Sequence, residues 1–213
     1  MNDKNDLLKR YAILIFGMFI MSFGIAMAIK GGHGTSPISS VSYALSVVGH
    51  VSVGKGSIMF NTFLVILQII LLRKDFKPYQ LLQLPVTFIF GYMNDFAMYC
   101  LDWVHCSNYA QQMICCLIGV VLVGVGVSIE VTPDVLVLPG EGIVSAFSQV
   151  TKIKFGTMKI IVDCSCAATA IVLGLVTGYG ALGVREGTII SALCTGNVVR
   201  KVKPLAAKAA KLS

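Results

Sequence analysis

Charge is scarce in this sequence. Charged residues fill 13% of its 213 positions while hydrophobic ones fill 56%. A soluble domain of this size hides only about 70% of the surface that its unfolded chain exposes, so a soluble globular protein is excluded. Histidine is also sparse, with three residues, no two of them close together. There is no nucleophile elbow, no phosphate-cradling glycine loop and no pair of carboxylates at short spacing. These absences leave no catalytic centre, so the chain reads as a non-enzyme without a cofactor. Its seven cysteines follow no zinc spacing, so no metal is expected. Cys115, Cys116, Cys164, Cys166 and Cys194 lie in apolar runs, where a thiol behaves as a small hydrophobe. Cys100 and Cys106 flank the Asp102–Trp103 turn and could pair in an oxidising compartment. The net charge of +7 would suggest nucleic acid only if it gathered on a soluble face. The basic residues instead sit at the ends of apolar runs, which makes a lipid bilayer the partner and nucleic acid not one.

What the chain has in quantity is apolar length. Residues 1–10 form a polar start, and Tyr11 to Ile29 makes a first spanning helix without the small-residue cleavage site of a signal peptide. Further spans are expected from Gly56 to Arg73–Lys74, Gln80 to Leu101 despite Pro85, Ala110 to Val131, Thr157 to Thr177 and Gly187 to Val199. Two segments, 36–48 and about 143–150, are too short to cross and must enter and return on one side. Ser36–Pro37 is a helix-start signal, since the hydroxyl accepts from orphan N–H groups and proline at the first position forfeits no hydrogen bond. The fold class is therefore an all-α integral membrane protein with six transmembrane helices and two re-entrant short helices.

A shift of 102 residues lays 34–61 on 136–163 without a gap. Pro37 falls on Pro139, Gly54 on Gly156 and Asn61 on Asp163, and the same frame carries Gly17 onto Gly119 and Gly24 onto Gly126. Self-similarity at a fixed period marks an internal repeat, here 11–101 and 110–200, joined by an outer loop at 102–109 and followed by a basic tail, 201–213. Lys9, Arg10, Arg73, Lys74, Lys77, Lys152, Lys154, Arg200 and the tail, including Lys203, Lys208 and Lys211, fall on one side; Lys30, Lys55 and Arg185 fall on the other. That bias places both termini in the cytoplasm. Three spans per repeat then invert the second relative to the first, so the two short helices point their N-termini at each other near the midplane.

Facing helix starts at the midplane of an inverted repeat are a recurring way to build a transport site, because each presents unpaired N–H groups and about half a positive charge. The expected substrate-binding residues are Gly34, Thr35 and Ser36, with Pro139, Gly140, Glu141 and Gly142 opposite, and Asn61. The alternative reading is two well-capped loops packed in protein. Asp163, with Lys159 one turn earlier, is either a proton or cation carrier or half of a structural ion pair. Asp95 and Glu130 read as boundary or packing residues. His33 reads as a solvated loop residue that could switch with pH, and His33, His50 and His105 share one side, where they could form a weak metal site. Arg185–Glu186 reads as an interfacial anchor.

The block Gly34-Thr35-Ser36-Pro37, with Ser40, Ser42-Tyr43-Ala44-Leu45 and Gly54, and the run from Gly187 to Gly196 in the last helix resemble the bacterial YczE/YyaS/YitT group of membrane proteins over roughly residues 11–200. The resemblance implies multi-pass topology in the bacterial cytoplasmic membrane and carries over no site residues. Asn197 departs from the apolar residue or proline expected there. The functional expectation rests on the repeat: a small secondary transporter or facilitator of a polar, anionic small molecule, possible as a homo-oligomer. The alternatives are a substrate-binding subunit of an energised transporter, or a membrane scaffold or regulator.

Overall fold

The computed structural model describes residues 2–180 and 182–210; Lys211 lies outside the described residues. Eight helices follow one another, with no strand among the described residues: α1 (Asn2–Gly31), α2 (Pro37–Val48), α3 (Val53–Leu72), α4 (Gln83–Cys100), α5 (Tyr109–Glu130), α6 (Pro139–Thr151), α7 (Phe155–Val176) and α8 (Glu186–Ala210). Four segments are long and apolar enough to cross a membrane: Leu7–Gly31, Val53–Asp75, Tyr109–Glu130 and Phe155–Val176. Their outward faces carry Phe16, Phe63, Ile70, Val172 and Leu175, all exposed, as lipid-facing surfaces must. The chain is an all-helical membrane protein.

Local chemistry sets most boundaries. Ser36 caps α2 by accepting from the Ser39 N–H, with Pro37 at the first helical position. Ser52 and Asn108 cap α3 and α5 by accepting from the N–H groups of Lys55 and Gln111. Four boundaries depart from the sequence expectation. Residues 2–10 hold no glycine or proline, so α1 runs back to Asn2. Pro78 opens a separate 3-10 turn, and α4 starts only at Gln83, so Pro85 lies in its first turn, where the missing N–H costs no bond. The second short helix begins at Pro139 rather than Ile143, as α2 begins at Pro37. Finally, α8 passes through Asn197 and Pro204 to Ala210, where the Ala-rich tail continues it beyond Val199.

Helices α1 and α5 pack antiparallel along a seam of glycines. Gly17 lies against the backbone of Gly126 and Glu130, and Gly24 against that of Gly119 and Val123. A Cβ on Gly17 would come within 2.5 Å of the Glu130 nitrogen, and one on Gly24 within 2.6 Å of the Val123 nitrogen. These contacts are reciprocal under the 102-residue frame: 17 meets 24 + 102, and 24 meets 17 + 102. The other contacts also come in matching pairs under this frame: α2 on α3 and α6 on α7, α2 on α7 and α6 on α3, and α4 on α1 and α8 on α5. The core between the short helices and α3 and α7 is built from Val41, Phe60, Leu64, Ile143, Val144 and Met158.

Backbone conformation repeats too. Gly32 (φ 71°) and Asp134 (φ 49°) are both left-handed, as are His50 (φ 49°) and Lys152 (φ 62°), each pair 102 residues apart. Ser36 and Leu138, which precede the two short helices, have φ, ψ of −60°, 148° and −61°, 155°. One contact breaks the pattern. Gly54 fits against the Gly91 carbonyl, and its N–H donates to Asp95 Oδ1 at 2.7 Å, locking α3 to α4. A Cβ on its counterpart Gly156 would meet nothing within 4 Å, and α7 and α8 barely touch.

Candidate functional site

The starts of α2 and α6 meet: a Cβ on Gly140 would lie 2.9 Å from Ile38 Cδ1. Around that meeting point is a cavity of about 500 Å³ that runs out between α7 and α8 past Phe155, Val199 and Lys203. Most of its wall is apolar. The polar part comes from Ser36, Ser39 and Ser42 on α2, Ser57 and Asn61 on α3, Glu141 and Ser145 on α6, Lys159 and Asp163 on α7, and Ser191 and Thr195 on α8. Much of the wall comes in pairs at the 102-residue spacing, and in the polar pairs a neutral residue of the first half stands opposite a charged one of the second: Ser39 and Glu141, Ser57 and Lys159, Asn61 and Asp163.

The charged trio is short of one cation. Lys159 Nζ lies 3.2 Å from Asp163 Oδ1 and 3.9 Å from Glu141 Oε1, so two carboxylates share one ammonium in a largely apolar wall. The 3.2 Å contact follows from the i, i+4 spacing on α7, which stacks the two side chains on one face. Across the cavity Asn61 is 6% exposed, and no described residue hydrogen-bonds its side chain. Asn61 lines the cavity. Ser57 accepts from Asn94 Nδ2 at 3.4 Å.

The structure thus brings Ser36, Asn61, Gly140, Glu141, Lys159 and Asp163 to one cavity. It does not bring Gly34, Thr35, Pro139 or Gly142 there, which places those four expected residues outside the cavity. Gly34 turns left-handed (φ 99°) against Thr188 and Gly183, and the Thr35 N–H donates to the Gly183 carbonyl at 3.1 Å. Because α6 starts at Pro139, a further 100° per residue turns Gly142 away from the cavity and onto the Gln68 amide.

Other expectations change as well. Of the two readings of Glu130, the last residue of α5, packing holds: it is 0% exposed, and its Oε1 accepts from the Leu138 N–H at 2.9 Å. Leu138 has no side chain that can cap α6, and Glu130 instead anchors the chain just before the helix through the N–H of Leu138 itself. Gln68, also missed, donates to Gln83 Oε1 at 3.2 Å and to the Pro139 carbonyl at 3.3 Å. His33 is buried rather than solvated, with Nδ1 3.5 Å from Glu186 Oε2 and its ring edge-on to Tyr109. No group of three potential metal ligands gathers among the described residues, so the three histidines share no site. Cys106 Sγ sits 3.1 Å from Cys115 Sγ, which makes Cys115 and not Cys100 its neighbour. Asp102 accepts from Lys30 Nζ at 2.9 Å, and that hydrogen bond and charge hold its carboxyl below the usual range.

A family model described as "Family of unknown function (DUF6198)" matches residues 8–204. Among curated proteins, "Uncharacterized protein YyaS" of Bacillus subtilis (strain 168) is 33% identical over 121 residues, which cover 56% of this chain and 59% of that protein. "Uncharacterized membrane protein YczE" of the same organism is 25% identical over 198 residues, covering 92% and 86%. An "Uncharacterized protein" of Haemophilus influenzae is 22% identical over 196 residues, covering 90% and 82%. No solved structure matches.

Proposed function

The chain belongs to this family of unknown function, and we propose that it works as a small secondary transporter or facilitator of a polar, anionic small molecule across the bacterial cytoplasmic membrane. The observation that carries the reading is the cavity at the meeting point of two short helices, lined from both halves of the chain, with Asn61 of one half and Lys159 and Asp163 of the other in its wall. The reading takes the two halves as inverted repeats, each with three spans and one re-entrant helix. It is supported by the reciprocal glycine contacts of α1 and α5, the paired left-handed residues and the matching pairs of helix contacts. With Arg73, Lys74, Lys77, Lys152, Lys154 and Arg200 on the cytoplasmic side, the gap between α7 and α8 opens inward. The lock between Gly54 and Gly91 keeps the corresponding outward gap shut, and exchange of the two gaps would give alternating access.

In this mechanism the substrate anion meets the start of α2, with the Ser36 and Ser39 hydroxyls, and Lys159. In the empty site Lys159 is held by Asp163 and, at longer range, by Glu141. A proton taken up by Asp163 removes the nearer carboxylate's hold on the ammonium, which then pairs with the substrate, so anion and proton move together. Asn61 cannot titrate, and coupling resides in one half. Asp163→Asn is expected to keep the protein folded at a cost of about 1–3 kcal/mol, because Glu141 still faces Lys159, while uptake into proteoliposomes loses its pH dependence. A variant that is unstable yet keeps wild-type pH dependence would overturn the coupling. Uptake that appears only with a co-purifying ATPase would make the chain a subunit of an energised transporter instead.

A further inference from the structure

All seven cysteines are free thiols, and two of them lie side by side, away from the central cavity. Cys106 Sγ is 3.1 Å from Cys115 Sγ, about 1 Å more than the bond length of a disulfide. The chain between the two thiols is tied down step by step. Asn108 caps α5 by accepting from the Gln111 N–H at 2.9 Å, and the Gln111 side chain accepts in return from the Ser107 N–H at 3.0 Å. Gln112 Nε2 then donates to the Cys106 carbonyl at 3.3 Å. These three hydrogen bonds fold the loop back over the first turns of α5, so the loop thiol comes to rest on the helix thiol. Both are half-buried. The neighbouring thiols are placed elsewhere: Cys116 is buried and its Sγ donates to the Gly34 carbonyl at 3.7 Å, and Cys100 has no sulfur within hydrogen-bond reach among the described residues.

We propose that Cys106 and Cys115 are oxidised to a disulfide on the outer face of the membrane, a covalent staple where the two halves of the chain join. The outer placement rests on the proposed orientation, and the choice of partners rests on the geometry alone. The oxidant is an external disulfide that acts by thiol–disulfide exchange. Cys106, in the loop, gives up its proton and attacks that disulfide, releasing one thiol of the oxidant; Cys115 then gives up its proton and attacks Cys106 Sγ, releasing the second. Two electrons and two protons pass to the oxidant, which becomes a dithiol, and one S–S bond forms in this chain. The bond closes a ring over residues 106–115 and stabilises chiefly by constraining the unfolded chain. It also fixes the loop of Asp102, which accepts from Lys30 Nζ at 2.9 Å, to the helix that packs on Gly31, where a Cβ would lie 3.3 Å from Cys115 Cβ. The adjoining ends of α1, α4 and α5 are thereby held as one block.

The test counts thiols in the full chain. Protein from bacterial cells grown in air is denatured in iodoacetamide and weighed intact, before and after reduction. Of the seven cysteines, all but the two in the pair should be alkylated before reduction and all seven after it. Cys115→Ala should gain no further alkylation on reduction, while Cys100→Ala should still gain two. Reduction should lower the wild-type Tm by about 4–8 °C and leave that of Cys115→Ala unmoved. Full alkylation of the wild type before reduction overturns the proposal. So does a pair that survives Cys115→Ala or is lost with Cys100→Ala, and a reduced wild type that melts where the oxidised one does overturns the staple. A chain with every cysteine but Cys106 replaced separates the two premises. Labelled by an impermeant maleimide in intact cells, Cys106 lies outside, and a missing disulfide then counts against the pairing alone; labelled only after permeabilisation, it overturns the outer placement together with the proposed orientation.

Discussion

Set side by side, the two halves of the chain share backbone conformation at Gly32 and Asp134, Ser36 and Leu138, and His50 and Lys152, and differ in chemistry. Ser39, Ser57 and Asn61 build the same turns of the same helices as Glu141, Lys159 and Asp163. Since the first half forms its helices with neutral side chains at these places, the backbone does not require the charges of the second. Their place is on the cavity wall, where an ionisable group in a membrane segment is costly unless it is used. The second difference is mechanical: α3 and α4 are closed on each other by Gly54, Gly91 and Asp95, and α7 and α8 are not.

The comparison breaks most severely at the shared seam. Gly24→Leu and its counterpart Gly126→Leu should each cost roughly 3 kcal/mol or more, since the new side chain meets backbone that cannot yield, and both should be lost as folded protein on size exclusion. Next comes the buried carboxylate. Glu130→Leu leaves the Leu138 N–H buried without an acceptor and should cost about 1–3 kcal/mol, whereas Glu130→Gln keeps an acceptor there and should cost less; thermal melts of the pair decide. Gly54→Ala and Gly156→Ala sharpen the mechanical difference. The first should destabilise by about 1–3 kcal/mol by forcing α3 off α4, and the second should be neutral or gain up to about 1 kcal/mol, as alanine does in an open helix. The smallest effect is at Asp102. Its carboxyl lies below the usual range because of Lys30, so its contribution to stability is present above the unfolded carboxylate pKa and fades as pH falls through the lower folded one. The group is fully exposed, and Asp102→Asn should therefore flatten the melt-against-pH curve below about pH 4 only slightly, less still in high salt.

Four of the six expected spans, the start of α2 at Ser36–Pro37 and the 102-residue frame were legible because each rests on local rules: hydrophobic length, capping and self-similarity. So was the gathering of Asn61, Asp163 and Lys159, since the frame and the i, i+4 spacing place them. Contacts between distant segments were not legible. Nothing in the neighbourhood of Glu130 reveals that it serves Leu138, nor does the sequence around Gln68 reveal that it holds Pro139. His33 looked solvated because its glycine-rich surroundings suggest an open loop, and only the approach of Tyr109 and Glu186 buries it. The extension of α8 through Pro204 ran against a rule that usually holds for a single proline.

The central claim, two halves of opposite orientation around one cavity, is tested most directly at the paired left-handed residues that end the short helices. With the native cysteines replaced, His50→Cys and Lys152→Cys, both at exposed positions, would be labelled with a membrane-impermeant maleimide in intact and in permeabilised cells. The inverted arrangement predicts that the cysteine at position 50 reacts in intact cells and that the one at position 152 reacts only after permeabilisation. Labelling of both from the same side would contradict it.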